Sequence, residues 1–419
     1  MRSVYAVISL VLISSCAQIP KPEPTPQTTP PISPLPSISI PSPPSTTATA
    51  PTLLFAPTPF AEIPAWGNLD VTAARTAFVG SCNARRAQPE TAFLSASAPY
   101  AGRKSDWQTV CRLATEKTVA DQDFFLRYFQ PWAVSSPSGN SGRLTSYYEP
   151  ELSVSRQRTL DYDTPIQGRP ADLVVEDLGL FDPSLAGRTL VGRVRNGAME
   201  PYPTRAEINE DSAPILAWGN ASDVFFLQVQ GSGRLIFPDG TQTRAAFAAH
   251  NGHPFRSIGA ELIRRGELTR DQASADAIKN WMAKNGPTAS RELINTNPRT
   301  VFFRLEAIQS SKEGPKGGQG VPLTAGASLA VDTTLHPYGL PIIVDADAPV
   351  LSATDAQRLI RRLVITQDTG GAILGPLRGD LFWGTGAAAG LQAGRVNHSA
   401  RWWILLPLGL DPVVAGSSR

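Results

Sequence analysis

The main constraint on the fold of this chain is a series of short β-type runs that begins at residue 301. The connections between these runs are rich in Gly and Pro. Short strands joined in this way are typical of a barrel and not of a doubly wound sheet with crossover helices. The pattern therefore predicts a mainly β protein whose barrel strands include Val301–Arg304, Ser328–Val331, Pro341–Val344, Leu363–Thr366 and Trp402–Leu406.

The middle of the chain also has a β-type pattern. The apolar run Val224–Gln230 and the pair Leu235–Ile236 precede the turn residues Pro238–Gly240, and together they predict two strands and a hairpin. Additional helices are predicted where apolar residues recur at helical spacing. These helices span Val71–Gln88, Trp107–Phe129 (with Ser105 and Asp106 as candidate caps), Phe255–Arg265 and Asp271–Lys284, the last ended by Gly286–Pro287.

Composition excludes several classes of protein. The 38 basic and 36 acidic residues give a net charge of +2, which provides no field to attract nucleic acid. Three Cys and four His exclude a Cys-based zinc cluster and make a His-rich metal site improbable. A hydrophobic content of 42% is sufficient for buried cores.

The N-terminus has the pattern of an exported lipoprotein. Residues 1–15 contain Arg2 and the apolar run Val4–Ile13, which is too short to span a bilayer and is typical of a signal peptide. The run ends in a sequence that resembles a lipobox, with Cys16 as the acylated residue. Ala17 after the Cys suggests transfer to the outer membrane. The alternative is an ordinary signal peptide that ends near a Cys.

The segment after Cys16 predicts a tether. Fifteen of the 38 prolines lie between Pro20 and Pro64, and no charged residue occurs from Thr25 to Phe60. Such a composition cannot bury a core, so residues 16–64 are predicted to be a disordered, Pro-rich tether.

Cys82 and Cys111 lie on the first two predicted helices. In an exported protein they can form a disulfide that closes a loop of about 30 residues and contributes roughly 3 kcal/mol. The alternative is two separately buried thiols. Neither position favours a catalytic thiolate.

Three aspartates near Gly-rich segments are candidate acid–base groups. Asp332 precedes a loop with His336, Asp368 precedes Gly370 and Gly371, and Asp380 is followed by three apolar residues. Apolar neighbours can raise the pKa of a carboxyl group by desolvation, as an acid catalyst requires. The alternative for each aspartate is a structural role in an Asx turn.

Two weaker motifs match other classes of site. The string Asp368–Gly370 matches one half of an aspartic protease signature, but such an enzyme needs two carboxylates and the chain has one copy. His250 and His253 are closely spaced, but no acidic or Cys ligand lies near them in the sequence. A structural role is therefore predicted for both histidines.

Ordered blocks of sequence resemble the membrane-bound lytic murein transglycosylase A family. Together they span most of residues 140–406, which makes chance similarity negligible. The blocks are Leu144–Leu152, Phe225–Leu235, Asn251–Gly259, Asn297–Arg304, Val321–Asp332, Gln367–Gly375, Gly379–Gly394 and Asn397–Leu405.

The resemblance implies a double-psi β-barrel interrupted by a second β-rich domain, with a glycan groove between the two. Residues 300–412 would belong to the barrel domain, with residues about 321–408 as its 3D domain, and residues 65–145 are assigned to the same domain by their position alone. Residues 146–299 would be the insert domain.

The resemblance also implies an activity: non-hydrolytic cleavage of the β-1,4 bond between N-acetylmuramic acid and N-acetylglucosamine in peptidoglycan, a step in cell-wall turnover. The product would end in 1,6-anhydromuramic acid. Asp380 would be the single acid and base, Asp368 and Asp332 would support it, and neither a metal nor another cofactor would be needed. The protein would be lipid-anchored at the periplasmic face of the outer membrane of a Gram-negative bacterium. Protein partners from cell-wall synthesis or division are left open.

Glycan binding requires hydrogen-bonding side chains and aromatic rings. The candidates from the insert side and the adjoining strand are Thr145, Tyr147, Tyr148, Gln230 and Ser232, and those from the barrel side are Gly370, Gly371 and Asn397. Ser146 departs from the Gly that is frequent in the family. The alternative function is a non-catalytic cell-wall-binding lipoprotein with the same fold, against which the presence of all three aspartates argues.

Overall fold

The computed structural model describes residues 53–417 except 183, 184, 186, 187, 271, 312 and 350–358. The predicted signal peptide, Cys16 and most of the predicted tether lie outside the described residues. The strands are β1 Leu54–Pro57, β2 Phe129–Ser135, β3 Gly142–Glu149, β4 Glu151–Ser153, β5 Thr164–Gln167, β6 Val174–Asp177, β7 Thr189–Arg195, β8 Ala198–Glu200, β9 Ile215–Gly219, β10 Gly233–Ile236, β11 Gln242–His250, β12 Val301–Glu306, β13 Ser328–Val331, β14 Pro341–Pro349, β15 Leu359–Asp368, β16 Arg378–Thr385 and β17 Asn397–Pro407.

Eight helices accompany these strands in the described part of the chain. They are α1 Thr72–Ala84, α2 Lys104–Glu116, α3 Asp121–Tyr128, α4 Ala221–Gln230, α5 Ile258–Arg264, α6 Ala275–Asn295, α7 Gly386–Ala393 and α8 Pro412–Ser417. Within the described residues, no helix combines the length and apolar character needed to cross a membrane. The mainly β prediction with additional helices is confirmed.

One eight-stranded sheet contains the C-terminal strands. Its order is β1-β2-β17-β14-β15-β13-β16-β3, and β17 pairs with β3 as well as with β14. Six strands therefore pair in a closed ring, because β3 pairs back with β17. In order, they are β17, β14, β15, β13, β16 and β3. Buried apolar residues of these strands form the largest core cluster of the molecule.

The insert segment, residues 150–306, interrupts the main sheet between β3 and β13. The run Val301–Arg304 was predicted as a barrel strand, but it lies in β12, which pairs with β11 of this segment. It contains a four-stranded sheet of order β12-β11-β10-β4, the pair β5-β9, and the three strands β6-β7-β8. Helices α4, α5 and α6 pack together around a second apolar cluster that includes Phe225, Leu262 and Met282. The predicted hairpin is present, because β10 and β11 pair antiparallel around Pro238–Gly240.

Helices α1, α2 and α3 pack on the same core as the main sheet. Phe78 is fully buried among aromatic rings that include Trp107, Phe124 and Phe129, and burying such a ring contributes about 1.5–3 kcal/mol. Arg75, also fully buried, donates to Leu113 O and Ala114 O and pairs with Asp121 at 2.9 Å. The helices are therefore fixed to one another by both apolar and polar contacts.

The sulfur atoms of Cys82 and Cys111 are bonded, which is the first of the two alternatives for these residues. The bond joins α1 to α2, and the two cysteines are 29 positions apart in sequence. The disulfide links two helices that also pack against each other.

The strand predicted at Val224–Gln230 is wrong, because these residues belong to helix α4. The side chain of Asn220 caps the helix by accepting from Ser222 N–H, and Gly231 ends it with φ 82°. Val224 and Leu227, three positions apart, are buried in one apolar cluster, and Phe225 is buried in the cluster between α4, α5 and α6. These caps and tertiary packing override the β propensity of the sequence VFFLQVQ.

Other boundaries also differ from the sequence predictions. The helix expected over Trp107–Phe129 is two helices, separated by Lys117 at φ 50°. It begins after Arg103, whose N–H donates to Asp106, so neither Ser105 nor Asp106 is the N-terminal cap residue. The expected helix Asp271–Lys284 begins at Ala275, and a kink at Gly286 separates it from a further helical stretch to Asn295.

The tether ends earlier than predicted. Strand β1 lies within residues 16–64 and pairs antiparallel with β2, for example Phe55 with Val134. Ile63 is buried in the main core. Residues 54–64 therefore belong to the folded body, because this short stretch supplies both backbone pairing and an apolar anchor.

A buried charge cluster joins the insert segment to the main sheet. Glu149, at the end of β3, is fully buried and accepts from Arg234 Nε at 3.1 Å and Arg244 Nε at 2.6 Å. Thr385, at the end of β16, donates to the same carboxylate, and Glu313 O accepts from Arg244. The chain passes from the main sheet into the insert segment after Glu149 and leaves the insert segment before Glu313. The cluster therefore contains residues from both of these connections.

Candidate active site

The three aspartates lie in different structural contexts. Asp332 follows β13 and begins a turn, whereas Asp368 is the last residue of β15. Asp380 lies inside strand β16. This strand was not predicted from the sequence, because the segment around Asp380 was interpreted as rich in turns.

A bulge sets the position of Asp368. In the pairing of β13 with β15, Leu329 is opposite Thr366, but Ala330 is opposite Asp368, so Gln367 is the extra residue. Gln367 is fully buried and donates to Ala77 O and Ser81 Oγ of α1. The bulge thus directs the side-chain amide of Gln367 into the core and leaves Asp368 in register with Ala330.

The sheet register aligns several predicted site residues. Ala330 is paired with both Asp368 and Asp380, Asp380 is paired with Thr145, and Thr145 is paired with Asn397. We call this set of five residues the aspartate row. Residues in register on adjacent strands share a face, and the two aspartates, two strands apart, have Cα atoms about 10 Å from each other.

Asp380 is partly buried and accepts from Thr145 Oγ1 at 2.5 Å. Burial raises the pKa of this carboxyl group from 3.8 to about 6. The Thr145 hydrogen bond and the guanidinium groups of Arg378 and Arg143 oppose that rise, while the charge of Asp368 adds to it. At pH 5 a pKa of 6 leaves about 90% of the group protonated, compared with about 6% at pKa 3.8.

Asp368 is held by three donors. Its carboxylate accepts from Tyr147 OH at 2.5 Å and from the backbone N–H groups of Gly318 and Thr369. Burial raises the pKa of Asp368, and these three hydrogen bonds oppose the rise. The same contact, together with burial, raises the pKa of Tyr147 well above its usual value, so the phenol stays protonated and donates.

Asp332 holds the segment that leads into β16. It accepts from the backbone N–H of Thr334 and from Gly375 N–H. His336, fully buried, contacts Tyr100 OH through Nδ1 and Pro376 O through Nε2. Burial lowers the pKa of His336, and a neutral ring fits both contacts when Nε2–H donates to the carbonyl oxygen.

Tyr148 and Gln230 meet where α4 approaches β3. Gln230 Oε1 accepts from the backbone N–H of Tyr148 at 3.1 Å. The ring of Tyr148 packs on α7, where a Cβ at Gly390 would lie 2.8 Å from the ring. Tyr147 packs on Phe382 with ring centroids 5.3 Å apart. Ser232 follows the α4 cap and is partly buried.

The remaining predicted residues lie at the two ends of the aspartate row. Asn397 is exposed and accepts from Arg143 Nε at 2.8 Å. Gly370 and Gly371 form the turn after Asp368. A Cβ on Gly371 would lie 3.3 Å from Arg299 Nη2, so the turn lies close to this guanidinium from the insert segment.

Two residues near the site were missed by the sequence analysis. Arg299 lies within the block Asn297–Arg304 and donates to His253 O, but a single Arg in such a block gives no signal of its location. Glu149 lies within the block Leu144–Leu152, where its burial could not be predicted because acidic residues are usually exposed. His250 and His253 have the predicted structural contacts: His250 Nδ1 accepts from Gly252 N–H, and His253 Nε2 contacts Tyr202 O.

The chain matches two known domains. Residues 143–304 match the MltA specific insert domain, and residues 327–406 match the 3D domain. The crystal structure of a membrane-bound lytic murein transglycosylase from Agrobacterium tumefaciens is similar, with a TM-score of 0.71 and 33% identity over 87% of this chain and 99% of that one. The chain is therefore a 3D-domain protein of mainly β fold that carries this insert.

A protein sequence and a crystal structure from Escherichia coli are also similar to this chain. Membrane-bound lytic murein transglycosylase A of strain K12 is 32% identical over 270 residues, 63% of this chain and 65% of that protein, so the match spans slightly less than two thirds of the relative's length. The structure of E. coli MltA with bound chitohexaose has a TM-score of 0.59 and 26% identity, over 85% of this chain and 92% of that one. The chain belongs to the membrane-bound lytic murein transglycosylase A family.

Proposed function

We propose that this protein is a lytic transglycosylase that cleaves the β-1,4 bond between N-acetylmuramic acid and N-acetylglucosamine in peptidoglycan. The observation that carries the proposal is the environment of Asp380. This carboxyl group has a pKa of about 6, caused mainly by burial, and a hydroxyl donor at 2.5 Å. Such a group can be protonated before a reaction and stabilised as a carboxylate after it.

The first step uses Asp380 as an acid. The protonated carboxyl group donates to the glycosidic oxygen, the bond from that oxygen to the anomeric carbon breaks, and N-acetylglucosamine leaves with a free hydroxyl. Asp380 is then a carboxylate, and the hydrogen bond from Thr145 stabilises this charge. Positive charge that develops at the anomeric carbon faces this carboxylate.

The second step uses Asp380 as a base. The C6 hydroxyl of the same N-acetylmuramic acid attacks the anomeric carbon, and Asp380 takes the hydroxyl proton. A new bond from O6 to C1 forms the 1,6-anhydro ring, and the carboxyl group returns to its starting state. The nucleophile belongs to the sugar that reacts, so its attack is intramolecular and a second carboxyl group at the anomeric carbon is unnecessary.

Asp368 and Asp332 act as supporting groups in this mechanism. Asp368 fixes the turn at Gly370 and Gly371 through Gly318 and Thr369, and its charge raises the pKa of Asp380. Asp332 binds Gly375 N–H and so orients the segment that enters β16. Neither role needs a metal ion or another cofactor.

The glycan would bind along the aspartate row. Chitohexaose is bound in the E. coli relative, which supports an oligosaccharide as the ligand class. We assign contacts to Thr145, Tyr147, Tyr148, Gln230 and Ser232 on one side and to Gly370, Gly371 and Asn397 on the other. The proposed groove lies between the two parts of the chain, and the closed pairing of β17 with β3 and β14 supports a double-psi barrel as one wall.

The proposed location is the periplasmic face of the outer membrane of a Gram-negative bacterium, with Cys16 as the lipid attachment site. The signal-like residues 1–15 and the name "membrane-bound" of the relatives support it. Two or more acyl chains on Cys16 would give stable anchoring.

The proposed activity is tested by incubating the purified protein with murein sacculi and analysing the soluble products by mass spectrometry. Muropeptides with 1,6-anhydro ends are expected. Products with only reducing ends would show a hydrolase. No release of products, with binding to sacculi retained, would identify a non-catalytic cell-wall-binding protein.

A further inference from the structure

Two arginines lie beside the aspartate row. Arg143 of β3 is paired with Arg378 of β16, in the same parallel pairing that places Thr145 beside Asp380. Each arginine comes two positions before its neighbour in the row, which corresponds to roughly 7 Å along a strand. Neighbouring strands are about 5 Å apart, so the two arginine side chains start side by side.

The two arginines face the same side of the sheet as Asp380. Side chains alternate between the two faces of a strand. Leu144 is fully buried, and a Cβ on Gly379 would lie 2.9 Å from the ring of Trp402 in the main core. These intervening residues therefore face the core, and both arginines face outward together with the carboxyl group of Asp380.

In the described part of the chain, neither guanidinium group forms an ion pair. Arg143 is exposed, and its Nε donates to Asn397 Oδ1 at 2.8 Å. Arg378 is partly buried, and its Nη1 donates to the carbonyl oxygens of Gly379 and Arg143. Both side chains reach the surface, so a ligand in the proposed groove can contact them.

The pairing of two positive charges is unfavourable. Like charges directly opposite each other on neighbouring strands destabilise a sheet. Burial and the charge of Arg143 lower the pKa of Arg378, and the charge of Asp380 opposes this effect. In the proposed mechanism Asp380 is protonated when the substrate binds, so its compensating charge is then absent. An anion supplied by the substrate would compensate both guanidinium groups.

The charges of the proposed substrate indicate which of its parts binds here. The sugars of a glycan strand carry hydroxyl and N-acetyl groups, which are neutral. The peptide that branches from the muramic acid supplies free carboxylates. A guanidinium group binds a carboxylate through paired, charge-assisted hydrogen bonds. The two arginines therefore match the peptide and not the sugar backbone.

We propose that Arg143 and Arg378 bind a carboxylate of the peptide on the muramic acid that reacts at Asp380. The inference rests on the proposed function, because that function places this sugar, and hence its peptide, at the acid. Two extended peptide residues span roughly 7 Å, which equals the distance along the strand from Asp380 to Arg378. A carboxylate near the start of the peptide can therefore reach the arginine pair, and strands with charged peptides are favoured.

The test compares three substrates of the full-length protein. They are glycan strands with native peptides, strands whose peptide carboxylates have been converted to amides, and strands from which an amidase has removed the peptides. The wild-type KM is expected to be roughly 3–10-fold lower for native strands than for the other two. Arg143→Gln and Arg378→Gln should each remove most of this difference.

The control variants separate charge, geometry and folding. Arg112→Gln removes a positive charge from an exposed pair on α2 and should keep the difference between strands. Arg378→Lys keeps the charge without the planar fork and should keep only part of it. Arg378 also affects the pKa of Asp380, and that effect is common to all strands, so the ratio of KM values is the readout. Melting temperature should not fall in either Gln variant, because each removes one of two like charges.

Calorimetry with the Asp380→Asn protein measures strand binding without turnover. Native strands should bind roughly 3–10-fold more tightly than amidated strands, and adding Arg143→Gln should remove this preference. Such a preference in a protein whose wild type turns over no strand would contradict the proposed function and support this site. Turnover with equal KM values for native and amidated strands would overturn the site and leave the function intact. An equal rise of KM for all three substrates in the Gln variants would also exclude it.

Discussion

At the scale of single residues, Asp380 and Thr145 form the pair on which the proposed chemistry depends. The two lie in register on adjacent strands, and the hydroxyl donates to the carboxylate. This hydrogen bond favours the charged form and lowers the pKa of Asp380, while burial raises it by a larger amount. The balance leaves a carboxyl group that can act as both acid and base near pH 6.

Thr145→Val removes the donor, so the pKa of Asp380 should rise above 6. The acid form then persists to higher pH, and the alkaline limb of the kcat/KM profile should move up by about 1–2 pH units, since a hydrogen bond to a charged group contributes about 1.5–3 kcal/mol. The measurement is the pH dependence of product release from glycan strands.

Ser146→Ala is the control for this prediction. Ser146 is the next residue of β3 and donates to Ala393 O instead of to an aspartate. Its substitution should leave the alkaline limb in place. An unshifted limb in Thr145→Val would mean that the hydroxyl does not tune the acid.

The candidate residues could be identified from sequence, but their arrangement could not. Asp332, Asp368 and Asp380 are marked by the family blocks in which they lie. The bulge at Gln367 and the small Ala330 between the two carboxylates depend on strand register, which long-range pairing determines and local sequence does not. The pKa of Asp380 likewise depends on burial by distant parts of the chain.

At the scale of elements, the buried cluster around Glu149 connects β3, β10, β11 and the end of β16. Removing one partner of a buried ion pair leaves the others without compensation. The cluster therefore controls how the insert segment is attached to the main sheet.

Glu149→Ala should lower the free energy of unfolding by about 3–5 kcal/mol, because it leaves two buried guanidinium groups unpaired. Glu116→Ala is the matched control, since Glu116 pairs with Arg112 on the exposed face of α2; its cost should be about 0.5 kcal/mol or less. Urea-induced unfolding measures both. Equal costs would show that the cluster does not hold the two parts together.

Elements were predicted well where local pattern and tertiary packing agree. The strand Ser328–Val331 was predicted with its observed bounds. Val224–Gln230 was assigned to the wrong class, because its β-branched and aromatic residues are held in a helix by Asn220, Gly231 and core contacts. Strand β16 was missed because its glycines resemble turn signals, although Gly379 is required where Trp402 and Leu329 pack closely.

At the scale of the whole molecule, the boundary of the folded body differs from the sequence prediction. The body begins at β1 and not at residue 65. Residues 54–64 therefore belong to the folded body and not to the proposed tether.

Cys16→Ser should abolish acylation and release the protein from membranes, because the proposed anchor is the lipid and not a helix. The measurement is the fraction of the protein that sediments with outer-membrane vesicles. Unchanged sedimentation of the variant would contradict a lipid anchor at Cys16.

Deleting residues 17–50 should leave both melting temperature and activity on soluble glycan strands unchanged. Deleting residues 17–60 also removes β1 and its pairing with β2, so the melting temperature should fall. Thermal unfolding distinguishes the two deletions. Equal melting temperatures would show that β1 contributes nothing to the fold.

The most direct test of the central claim compares Asp380→Asn with Asp368→Asn. Asp380→Asn retains shape but cannot transfer a proton, so release of anhydro-muropeptides should fall by about 10²–10⁴. Its melting temperature at pH 7 should hold or rise: the folded-state pKa is raised, so the charged carboxyl group destabilises the fold above pH 6. Asp368→Asn should lose less activity and more stability, since it weakens three hydrogen bonds. Near-normal release by Asp380→Asn together with an inactive Asp368→Asn would contradict the account.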